Sequence, residues 1–168
     1  TGKIVFFNRP MNPTYISTFM AYGNCVDQRH QRASRAVEFG AIGVIVRSMT
    51  LRMDKNPHTG SMGYNDSTRK IPAAAISTKD AHELSNAIKQ EEFEQLSMEL
   101  SCKQLEDTIS YNVIGEIFGS EFKDEVILVG GHLDSWDIGE GAHDDGAGVV
   151  QSLQVLETFK KLNISPKR

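Results

Sequence analysis

Residues 126–131, "VILVGG", constrain the fold more than any other stretch. Four apolar residues in a row cannot give the alternating faces of a half-exposed strand. They predict a strand covered on both sides, as in the parallel sheets of α/β proteins. Behind this run comes "HLDSWDIGEGAHDDGAG", and then "GAGVVQSLQVLETFKKL". The last segment reads as an amphipathic helix with Val149, Leu153, Leu156, Phe159 and Leu162 as its stripe. Lys160 and Lys161 fall in its last turn, where cations suit the helix dipole. In open α/β sheets ligands sit beyond the carboxyl ends of strands, so His132 stands where a site belongs.

The same alternation of periods runs upstream. "GKIVFF" (2–7) predicts a strand, "RHQRASRAVEFG" (29–40) a helix with Ala33, Ala36 and Val37 on one face, and "AIGVIV" (41–46) a buried strand. Gly40 fits the position just past the helix. Residues 48–70 read as a loop rich in Asn, Pro, Gly and Asp, including Asn65-Asp66. "IPAAAIS" (71–77) predicts a strand, with Ser77 the N-cap of a helix whose Ala81, Leu84 and Ile88 share a face. "QLSMELSC" alternates Leu96, Met98, Leu100 and Cys102 with polar residues and predicts a half-buried strand. "ISYNVIGEIFG" (109–119) predicts another, followed by a polar turn at 120–125. The expected fold is α/β (α+β) in two parts, 1–105 and 106–168.

Bulk properties exclude some classes. The 168 residues carry a net charge of −4, without the clustered basic excess of a nucleic-acid surface. No apolar run reaches the length of a membrane span. Cys25 and Cys102 are too few for a disulfide framework and too far apart for a zinc knuckle. Their pairing stays open. The chain starts without Met or a signal-peptide pattern and stops just after a helix pattern, so both ends are expected to be cuts within a longer protein.

The loop at 130–148 holds two His, five Asp or Glu and six Gly. A phosphate loop would share its glycines and following helix, but Asp134, Asp137, Glu140, Asp144 and Asp145 with no Lys or Arg would repel a phosphate. An EF-hand calcium loop needs carboxylates at alternate positions and a Glu at the twelfth; the spacing here does not match. A zinc-type site fits the residue types: His132 offers an imidazole, and Asp144 a carboxylate from the loop's far end. Gly139 and Gly141 allow a turn that brings the two together. Asp134 is placed to accept the other imidazole N–H, as outer-shell carboxylates do. Two ligands do not hold zinc, and spacing alone leaves an acidic solvated loop with one exposed His as the alternative.

"VGGHLDSWDIGEGAHDDGAG" closely resembles the first metal motif of the zinc-dependent exopeptidases related to plasma glutamate carboxypeptidase. That group includes leucine-type aminopeptidases, the membrane glutamate carboxypeptidases and the transferrin receptor. "HTGSMGY" (58–64), "KIPAAAIS" (70–77) and "SYNVIGEIFGSE" (110–121) extend the resemblance over almost the whole chain. Residues 3–103 are similar to the protease-associated domain of these enzymes. The resemblance implies a protease-associated domain over 1–105, then the first strands and helix of a zinc-peptidase α/β/α sandwich over 106–168. It implies two zinc ions, with His132 ligating one, Asp144 bridging both, and Asp134, counted as catalytic, supporting and orienting the His132 side. It further implies a cis Asp144–Asp145 peptide and hydrolysis by a metal-activated water. The family's general base and remaining ligands are a later Glu-Glu pair, an Asp or Glu, and a last His. Glu91-Glu92 lies upstream and is not that pair.

The resulting expectation is an exopeptidase parent acting on peptides or dipeptides, extracytoplasmic by resemblance, and a 168-residue chain that is inactive alone. The alternatives are a protein-interaction or lid module and a transferrin-receptor-like scaffold without catalysis. The 126–131 segment is expected to lean on the first domain or to pair with another copy, the latter giving a homo-oligomer. Of the remaining residues, His30 and His82 read as surface positions and His58 as an exposed loop residue. His143 is left out as a ligand, and Trp136 reads as pocket wall or as packing under the loop.

Overall fold

The structure is a computed structural model that describes residues 1–65, 69–92, 95–103, 105–136 and 138–168. Asp66 and Asp137, part of the loop readings above, lie outside the described residues. The chain divides into two compact units, Thr1–Gln104 and Leu105–Arg168.

The first unit is built on a three-stranded parallel sheet in the order β1-β2-β3, with β1 Ile4–Phe7, β2 Gly43–Arg47 and β3 Ala73–Ile76. Val5 pairs with Val44 and Val44 with Ala73, so these three share one face. The central strand is the most buried, because it alone has a neighbour on each side. Between β1 and β2 run three short helices, α1 Thr18–Gly23, α2 Asp27–His30 and α3 Arg32–Glu38. The helix expected over 29–40 is therefore broken at Gln31, the residue that ends α2 and opens α3. Ala33 and Ala36 of α3 pack with Ala41, Val44 and Ile71 into one buried cluster, edged by Val5, Phe7, Val37 and Tyr64. Small side chains let the helix lie close to the sheet. Gly40 has φ +79°, the left-handed conformation expected of the residue past the helix.

α1 was not anticipated from the sequence. Ser17 caps it, its side chain accepting from Met20 N–H, and Ala21 enters a second buried cluster with Met11, Cys25 and Met49. Cys25 is buried and free, and Cys102 is exposed and free, so they do not pair. α4, Thr78–Lys89, starts where expected: Ser77 Oγ accepts from Asp80 N–H at 3.0 Å. Arg29 ties the long loop down, donating to the Thr59 and Ser61 carbonyls and to the Tyr22 hydroxyl. His58 is half-buried rather than exposed, and its main-chain N–H donates to Ser48 Oγ at 2.7 Å.

The described residues of the second unit hold one helix, α5 Gly146–Lys161, with Lys160 and Lys161 in its last turn as expected. Its C-terminus closes with Ile164 N–H on the Phe159 carbonyl and Asn163 N–H on that of Lys160. This is the Schellman arrangement, with Asn163 at φ +52°. The strands expected over 95–102, 109–119 and 126–131 are not formed among the described residues. A strand exists only when its main-chain groups find a ladder, and no main-chain bond joins 109–119 to 126–131. Val126, Ile127 and Leu128 stay 76, 69 and 88% exposed, where cover on both faces was expected. No described helix is long and apolar enough to cross a membrane.

Candidate metal centre

The site grows from the first turn of α5. Asp145 is the N-cap, and its Oδ1 accepts from Gly148 N–H at 3.0 Å. Its other oxygen, Oδ2, accepts the main-chain N–H of His132 at 3.1 Å. One carboxylate thus closes the helix end and fastens the start of the loop to it. Gly131, directly before His132, makes this approach possible. A Cβ there would lie 2.6 Å from Val149 N and 2.7 Å from Asp145 Oδ2, closer than any side chain tolerates. The loop then folds back through a turn in which Gly139 N–H donates to the Trp136 carbonyl, and Gly146 N–H donates to the Gly141 carbonyl.

This path brings the two ends of the motif together. His132 Nε2 lies 3.0 Å from Asp144 Oδ1. On the other side of the ring, Nδ1 lies 2.9 Å from the main-chain carbonyl of Asp134 and 3.3 Å from its carboxylate. The expected partner residue is therefore present, but its carbonyl is the nearer acceptor. A carbonyl oxygen only accepts, so Nδ1 carries the proton, and Nε2 is the nitrogen turned toward Asp144. The His132 pKa is raised above its ordinary 6.5, first by the Asp134 carbonyl bond; desolvation opposes this as the next largest effect, and the Asp144 carboxylate and the charges of Asp134 and Asp145 add to the rise. The His132 side chain is 52% exposed and that of Asp144 77%, so water screens these charges.

The residue types and separation fit part of a zinc site. Ligands about 2.0–2.2 Å from a tetrahedral ion stand about 3.4 Å apart, so the 3.0 Å pair needs to open by only a few tenths of an ångström. The ion would take the place of the Nε2 proton, between the same two atoms. Among the described residues no cluster of three or more His, Cys, Asp or Glu converges to hold a metal. What the chain presents is two ligand positions and the partners that orient them. The Asp144–Asp145 peptide is cis, as the resemblance implied. His143 and Trp136 are solvent-accessible, and neither joins the His132–Asp144 pair. Asp145 is the residue whose importance the sequence reading missed. The signal was available: an Asp directly before a helix is the strongest kind of N-cap.

Residues 112–168 match Peptidase family M28. Along the chain, carboxypeptidase Q of Homo sapiens is 38% identical over 167 residues, 99% of this chain and 34% of that protein. A probable leucine aminopeptidase 2 of Aspergillus fumigatus is 34% identical over 61 residues, 36% of this chain and 12% of that protein. A crystal structure of a Peptidase M28 precursor from Shewanella amazonensis superposes with a TM-score of 0.75 at 41% identity, covering 86% of this chain and 32% of that one. The chain spans about a third of the length of the carboxypeptidase Q relatives it matches. Residues 112–168, which carry His132, Asp134 and Asp144, are thus the part of the chain that is similar to Peptidase family M28.

Proposed function

We propose that the chain is a segment of a zinc-dependent exopeptidase and that it contributes two of the metal ligands, His132 and Asp144. The observation that carries the reading is the 3.0 Å approach of His132 Nε2 to Asp144 Oδ1, with Nδ1 held by Asp134 on the opposite side of the ring. Zinc, when bound, supplies Lewis acidity for hydrolysis of a peptide bond. The chain's own residues do the preparing. Asp134 fixes the tautomer and ring plane, and Asp145 anchors the His132 main chain. Support for a peptidase comes from the family match and from relatives named as a carboxypeptidase and aminopeptidases.

The rest of the reading follows from the resemblance. Unit Thr1–Gln104 is the protease-associated domain, the substrate is a peptide or dipeptide, the complete site takes two zinc ions, and the location is extracytoplasmic. The 168-residue chain alone is inactive, since two ligands do not hold the metal in a catalytic geometry. The experiment assays the chain on aminoacyl and dipeptide substrates with added zinc and titrates zinc into the chain and its His132→Ala variant. Weak zinc binding that the variant loses, without turnover, is the expected result. Turnover at enzyme-like rates would overturn the inactivity, and equal zinc binding by the variant would overturn the ligand assignment.

A further inference from the structure

We draw no further inference here: the strongest candidate, the basic groove between β1 and α3 that Lys3, Arg32, Arg35 and Phe39 line, carries nothing because nothing in the structure shows what covers it.

Discussion

Replacing Asp145 by Ala removes two bonds made by one carboxylate, and the consequences separate cleanly from those of Asp145→Asn. Oδ1 caps α5 through Gly148 N–H at 3.0 Å, and Oδ2 holds the His132 N–H at 3.1 Å. Loss of an N-cap costs about 0.5–2 kcal/mol. Loss of the second bond costs about 0.5–1.5 kcal/mol, taken at the neutral-bond value because the loop is exposed to water. The two changes together destabilise α5 and the loop by about 1–3.5 kcal/mol. Asn is as good a cap as Asp, and its oxygen can serve Gly148 N–H while its amide cannot accept from His132 N–H. Asp145→Asn therefore loses only the second part. The assay is native-state amide exchange of Gly148 and His132, together with helix content by circular dichroism. Asp145→Ala speeds exchange at both amides; Asp145→Asn speeds it at His132 alone. Unchanged protection at Gly148 and His132 in Asp145→Ala would refute the claim that this carboxylate ties the helix end to the loop.

Four further outcomes are expected. Gly131→Ala forces a Cβ to within 2.6 Å of Val149 N, so it separates His132 from α5 and abolishes the His132–Asp144 contact, seen as a drop in the His132 pKa by proton NMR. In the metal-free chain His132 titrates above 6.5. A raised folded pKa means that its stabilising bonds are fully present below the unfolded value near 6.5 and are lost as pH rises through the folded value. Thermal melts across that window should show unit Leu105–Arg168 losing stability as pH rises, and Asp144→Asn should flatten the trend. Met49→Ala, at a position 4% exposed in the second core cluster, destabilises unit Thr1–Gln104 by about 2–5 kcal/mol in urea denaturation. Ser77→Ala uncaps α4 at a fully buried position and costs about 1 kcal/mol in the same measurement.

The parts of the structure that were legible in the sequence are those set by neighbours in the chain. Ser77 before Asp80, Gly40 after an Ala-rich helical face, and two lysines ending an apolar stripe each act within one helical turn. The apolar β2 run was legible because burial on both faces leaves no polar alternation to confuse it. The runs at 109–119 and 126–131 carry equally clear strand composition, yet a ladder is a non-local bond that composition cannot supply. α1 was missed because six residues give too short a periodic signal, and the break at Gln31 because helical propensity runs on through it.

At the site, the meeting of His132 with Asp144 followed from glycines that let the loop return. The choice between the Asp134 carbonyl and its carboxylate as imidazole acceptor did not, since both belong to one residue and only the local turn decides. Asp145 shows the complementary case. Its cap position was readable, while its second bond to His132 depends on how closely Gly131 lets the chain approach α5.

The most direct test of the account is a zinc titration of the 168-residue chain followed by the imidazole ¹⁵N resonances of His132. The account predicts that Nε2 shifts on adding zinc while Nδ1 keeps its proton on the Asp134 carbonyl, and that Asp144→Ala weakens the response. Zinc that leaves Nε2 unmoved at millimolar concentration, or that shifts Nδ1 instead, would contradict the assignment of His132 and Asp144 as a pair of metal ligands.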